Sequence, residues 1–192
     1  MPPPPPPPLP PSFNAAVPAS GPAPPVVANK GPAGALLVEL IVYNGSPFKD
    51  HWAYFVQSSF HPSIGVIIHA TGDVRNGFRF EVKRNYDFAV TSTIPTSRIP
   101  LQWIDGKFLN ERAMLNTGVY KADNVPVCPF EKSVHKVKAP EKSLNAARQS
   151  GVPQKRVVQR NCQTWIVESA DQLVADRILS PEVAAYLHAV KQ

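Results

Sequence analysis

The chain holds two cysteines and five histidines, and three of these residues are spaced in a way that could do chemistry. Cys162 stands in RNCQTWIVE, directly after Asn161, a residue type that favours the N-cap of a helix. Trp165 and Ile166 follow three and four residues later, so they share a helix face with Cys162, and the thiol is expected to turn toward the core. A thiol in a first helical turn meets free backbone amides and the positive end of the helix dipole, conditions that lower its pKa. Lys155, Arg156 and Arg160 lie just upstream and would add positive charge if they come close. Two readings remain open: an activated nucleophile, or a packed and inert thiol.

The other two residues are His51 and His69, each on a segment that reads as a strand. If opposed residue numbers in this hairpin sum to 120, His51 faces His69, Ala53 faces Ile67 and Phe55 faces Gly65. Directly opposed residues share one face of a sheet. One imidazole could then deprotonate a thiol while the second orients the first, the division of labour of a nucleophile, base and orienter. A slip of one residue would separate them. The competing reading is two polar tips on a half-exposed sheet. A Cys/His/His zinc site lacks a fourth ligand and any local pair spacing, so neither a metal nor a cofactor is expected. Cys128, between two prolines in VPVCPF with no helix start read after it, is taken as structural. His61 reads as a surface residue, and His135 and His188 show no partner.

The elements that must position these residues follow from hydrophobic periodicity. LLVELIVYNG (36–45), HWAYFVQ (51–57), IGVIIHA (64–70) and GFRFEVKRNY (77–86) read as strands, the last with Phe78, Phe80 and Val82 on one face. Thr71-Gly72-Asp73 reads as a turn, and 87–93 as a short strand or an extension. IPLQWID and TGVYKA look like short extended pieces. Phe130, Val134 and Val137 mark a helix over 130–138, and a second short helix is expected from Lys142. A helix over 162–179 is followed by another that starts at Ser180-Pro181 and runs to Val190. Strands followed by helices give an α+β class, with an antiparallel sheet packed against helices.

Composition sets the frame. Fourteen of the 23 prolines lie in the first 33 residues, where Lys30 is the only charge. Residues 1–35 are therefore expected to be a disordered proline-rich head before a single domain over 36–192. Residues 2–25 of that head are a candidate ligand for an SH3- or WW-type partner, or a passive spacer. The net charge is +6, and residues 132–160 carry eight Lys/Arg. Nucleic acid or an anionic membrane surface would use such a run, and a solvated loop would carry it equally well. Phe130 is the only aromatic beside it, which argues against stacking of single strands. No secretory signal and no apolar run long enough for a transmembrane anchor is read, so a reducing, cytoplasmic setting is expected.

HWAYFVQ, IIHATG and RNCQTWIVE, in that order, resemble the circularly permuted branch of the NlpC/P60 papain-like superfamily, and within it the lecithin retinol acyltransferase group with its phospholipase/acyltransferase members. The likeness spans roughly 36–180. It implies a permuted papain-like architecture and a thiol-dependent hydrolase or acyltransferase that attacks an amide, ester or thioester carbonyl. It implies Cys162 as nucleophile, His51 as general base and His69 as orienter, with the Cys162 amide helping to hold the oxyanion. The substrate would be a small molecule, a lipid or a peptide. Gln163 and Thr164 stand where the acyltransferases have an acidic residue and a histidine, and SPEVAAYLHAVKQ is too short to span a membrane; both weaken the lipid reading. The alternative is a non-catalytic scaffold of the same fold whose head recruits its partner.

Overall fold

The computed structural model describes residues 22–142 and 159–192. The expected short helix after Lys142, most of the basic run and the first 21 residues of the proline head lie outside these. Six strands form one antiparallel sheet: β1 (Leu36–Tyr43), β2 (His51–Gln57), β3 (Ile64–Asp73), β4 (Gly77–Asp87), β5 (Ser97–Ile104) and β6 (Lys121–Asp123). Their spatial order is β5-β1-β2-β3-β4-β6. Among the described residues four α-helices accompany them: α1 (Glu111–Met114), α2 (Pro129–His135), α3 (Cys162–Ala175) and α4 (Pro181–Val190). The class is α+β, as the strand-then-helix pattern predicts.

Alternation divides the sheet into two unlike faces. Val38, Leu40, Trp52, Tyr54, Val56, Val66, Ile68 and Val82 point to the helices and form the main core with Trp165, Ile166, Ala170 and Leu173. Phe78 and Phe80 pack against this core beside Val82, as their spacing predicts. The Tyr54 hydroxyl donates to the Ile166 carbonyl at 2.9 Å and fixes α3 across β2. The opposite face carries a small cluster of Ile41, Ala53, Phe55, Ile67 and Tyr86.

Several local readings shift. β3 runs to Asp73, and the turn falls at 74–76 because the Asp73 carboxylate accepts from the amides of Arg75 and Asn76 at 2.7 and 2.9 Å. Residues 88–90 form a turn, not a strand or an extension of β4, with the Ala89 amide held by Asp87. α3 ends at Ala175 rather than at 179, closed by bonds from Arg177 and Ile178 back to Val174 and Leu173, with Arg177 at φ 59°. A helix does follow Cys128 directly: Cys128 is the N-cap position of α2, with Pro129 at the first turn. Residues 22–35 include a contact with the body, where the Trp103 indole donates to the Ala28 carbonyl at 2.8 Å.

β4 carries a bulge opposite Val66, where the register shifts between Gly65 and Ile67 and Asn85 adopts φ 47°. The extra residue resets the alternation. Arg84 stays on the helix side, 1% exposed, while Tyr86 joins the opposite face. Arg84 forks onto Glu131 of α2 at 2.9 and 3.0 Å, and its Nε bonds Asp123 of β6 at 3.0 Å. Glu131 is fully buried and also accepts from the Val127 amide at 2.8 Å.

Removing one partner of such a pair leaves a buried charge unmatched, at about 3–5 kcal/mol. In denaturant titrations Arg84→Met and Glu131→Leu are each expected to lose stability on that scale. The double variant is expected to lose clearly less than the two losses added; strict additivity would show that the pair is not coupled.

Candidate functional site

The site is assembled where β2 and β3 part. Tyr54 faces Ile68, Phe55 faces Ile67 and Gln57 faces Gly65, so opposed numbers sum to 122 and not 120. The loop sets this register. Ile64 bonds back to the His61 carbonyl at 3.1 Å, and Glu111 of α1 accepts from Ser58 Oγ at 3.0 Å and the Ser59 amide at 2.7 Å. A shift of two keeps every side chain on its face. His51 and His69 are therefore diagonal neighbours rather than a directly opposed pair, still within side-chain reach. Their rings meet nearly edge to face, centroids 5.0 Å apart, with His51 Nε2 2.8 Å from His69 Nδ1.

The relay continues. His69 lies opposite Glu81 on β4, and its Nε2 is 3.1 Å from Glu81 Oε1. Glu81 escapes a reading of the sequence that stops at the first hairpin, although the alternating strand 77–86 after a short turn would have placed it beside His69. An ionised carboxylate only accepts, so the chain has one self-consistent direction: His69 Nε2–H donates to Glu81, and His51 Nε2–H donates to His69 Nδ1. The basic nitrogen of His51 is then Nδ1, which makes no hydrogen bond to a described residue.

Electrostatics agree with neutral rings. Burial first, then the charges of His69 and Lys83, push the His51 pKa down to about 4. Burial also lowers His69, against its bond to Glu81. Glu81 is held down to about 2, by the bond to His69 first, with Lys83 and Arg79 adding and burial opposing.

Cys162 begins α3 as its sequence predicts, with Asn161 Oδ1 accepting from the Thr164 amide at 3.0 Å. The thiol is turned inward and is 7% exposed. The Ser58 amide bonds the Ile64 carbonyl, so even-numbered residues of β2 direct their backbone groups at β3. The ladder ends at Tyr54 and Ile68. Beyond it the carbonyl of Asp50 and the amide of Trp52 face a gap, and α3 fills it. Cys162 Sγ lies 3.8 Å from the Asp50 carbonyl, and Gln163 Nε2 donates to the same oxygen at 2.9 Å. The thiol thus bonds backbone beside His51, not an imidazole.

Its pKa is raised, a correction to the lowered value expected at a helix start. Burial dominates, while the amides of Trp52, Gln163 and Cys162 act against it. Arg160 does not supply charge to the thiol, because it pairs with Glu168 and donates to the Lys138 carbonyl. Lys155 and Arg156 lie outside the described residues. Cys128 is buried in the main core with its pKa pushed up to about 11 by burial, in keeping with a structural role. His61 is exposed and bonds Ser63, His135 meets the Phe80 ring edge to face and His188 pairs with Asp171. Among the described residues no group of three His, Cys, Asp or Glu side chains could hold a metal ion.

On the face away from the helices the imidazoles open into a cleft of about 310 Å³. It is lined by His51 and His69 with Tyr43, Ile67, Thr71, Gly72, Lys83, Tyr86 and Thr93. No helix among the described residues is long and apolar enough to cross a membrane.

A model of a family of unknown function (DUF6540) matches residues 38–180, most of the chain, which therefore belongs to that family. Neither a curated protein nor a solved structure matches it.

Two outcomes follow from the neutral resting state. With Cys128→Ser as background, the rate of Cys162 alkylation by iodoacetamide is expected to rise with pH through an inflection above the ordinary thiol value of about 8.5. A fast plateau below pH 7 would reveal a thiolate instead. The second concerns stability. The unfolded chain takes up a proton at His51 near pH 6.5, the folded chain only near 4. Folding stability is thus fully present above 6.5 and is expected to fall by about 2 kcal/mol between pH 7 and 4.5. Denaturant midpoints measured across that window should fall less steeply in His51→Gln, which cannot titrate.

Proposed function

We propose that this DUF6540 member is a thiol-dependent hydrolase or acyltransferase built on a permuted papain-like architecture. Cys162 is the nucleophile, His51 the general base and His69 its orienter. The observation that carries this reading is the relay His51–His69–Glu81, which leaves Nδ1 of His51 as the basic nitrogen, one residue along the chain from the Asp50 carbonyl that Cys162 Sγ approaches.

The chemistry starts from neutral partners. Cys162 Sγ attacks the carbonyl carbon of an amide, ester or thioester as its proton passes to His51 Nδ1. The carbonyl electron pair moves onto oxygen, which the Cys162 amide helps to hold. On collapse the leaving group departs with the proton from His51, and a thioester on Cys162 remains. Water or another nucleophile then gives its proton to Nδ1 as it attacks the thioester carbonyl, and on collapse the C–S bond breaks, the acyl product leaves and the proton returns from His51 to Cys162 Sγ. Glu81 touches no reacting atom; it is a positioning residue that keeps His69 in the tautomer His51 needs.

Gln163 departs from the acyltransferase pattern for a physical reason. Its carboxamide donates to the Asp50 carbonyl, which an ionised acid at that position could not do. A second reading, a non-catalytic scaffold of the same fold, is favoured by the thiol's bond to Asp50 in place of an imidazole. One experiment separates the two. Incubation with a panel of acyl thioesters, read by peptide mass spectrometry, is expected to trap an acyl group on Cys162 and not on Cys128. His51→Ala is expected to slow that step by about 10²-fold or more, the usual contribution of a general base. No acyl-Cys162, or a rate indifferent to His51, leaves the scaffold.

A further inference from the structure

The cleft beside the imidazoles is ringed by polar side chains that the fold does not use. The hydroxyls of Tyr43, Thr71 and Thr93 line it, and none makes a side-chain hydrogen bond among the described residues. The Lys83 ammonium also lines it. It makes no hydrogen bond; it stands 3.9 Å from Glu81 Oε1 and 5.9 Å from the Tyr86 ring centre. Glu81 is already engaged by His69 and lies 3.5 Å from Arg79, which offsets its charge. Glu39 and Arg98, elsewhere on this face, pair with each other. The cleft therefore keeps a net positive balance, Lys83 and Arg79 against the one carboxylate of Glu81, and three hydroxyl donors without side-chain hydrogen bonds, around an apolar floor of Ile67 and Tyr86. Convergent unpaired donors in a concave, partly apolar site are what an anionic ligand requires.

We propose that this cleft takes the carboxylate end of a small acyl compound, an N-acyl amino acid or the acid terminus of a short peptide. Lys83 supplies the counter-charge, Tyr43, Thr71 and Thr93 donate to the carboxylate oxygens, and the acyl end points toward the imidazoles. The acyl half of this inference rests on the thiol-enzyme reading; the anion site does not. The volume of about 310 Å³ lies at the small end of ligand pockets, which suits a molecule of dipeptide size.

The test uses the full chain as Cys162→Ser, so that no ligand is consumed. The ¹⁵N-labelled protein is titrated by NMR with N-acetyl-leucine and, separately, with N-acetyl-leucinamide. The acid is expected to shift amides of residues 43, 51, 71 and 83, and to bind at least about tenfold more tightly than the amide. Lys83→Gln is expected to abolish that preference and Lys83→Arg to retain it, with the same spectra reporting that each variant is folded. A third arm with a tetrapeptide acid distinguishes the source of the carboxylate: retained affinity identifies a peptide terminus, lost affinity a small molecule. Equal affinity for acid and amide, or no shifts at the cleft with either, overturns the proposal. Carboxylate binding without acylation of Cys162 would keep the anion site and remove the enzyme; acylation without carboxylate preference would do the reverse.

Discussion

Where β2 and β3 part beyond Tyr54 and Ile68, the backbone groups of Asp50 and Trp52 lose their strand partner, and buried backbone groups must find another. The start of α3 supplies it. Cys162 and Gln163 take the place of a strand at the Asp50 carbonyl, and the Trp52 amide turns to the sulfur. The helix is thereby locked to the sheet at one point, while Tyr54 locks it again one turn and more along, at Ile166. These two ties fix the thiol against the strand that carries His51. They also explain why the helix begins with an amide side chain after the cysteine.

The sheet sorts its charges by face. On the helix side Arg84 and Glu131 satisfy one another with almost no water, joining β4, β6 and α2. On the other side Lys83 and the imidazoles line an open cleft, and Glu81 bonds His69. The bulge at Arg84 and Asn85 makes this division possible. Without the extra residue, Tyr86 would point with Arg84 into the helices and the cleft would lose a wall. The buried fork is a structural device; in the relay His69 is buried while His51 and Glu81, at its two ends, are partly exposed.

Much of this was legible in the residues. The strand at 51–57 matches its sequence signature end to end, and the Asn161 cap and inward thiol follow from helical spacing. The pairing of the histidines survived a wrong register because the error was even, and parity alone decides the face. What sequence could not supply was non-local. The hairpin register depends on Glu111, more than fifty residues away from Ser58. Glu81 became visible only through the second hairpin. The protonation state of Cys162 depended on burial, and desolvation there outweighs the helix start that local reasoning favoured.

That last balance shapes the chemistry open to the site. A thiolate–imidazolium pair at rest would place two charges in surroundings that raise the thiol and lower the imidazole, so each shift opposes it. The pair is therefore stored neutral, with the proton on sulfur and the free nitrogen on His51. On the enzyme reading the proton must move as the sulfur attacks, as in a hydroxyl nucleophile, rather than before it. Glu81 then matters most at that moment. When His51 becomes positive, the relay already points its donors toward a carboxylate, and no group has to turn to receive the charge.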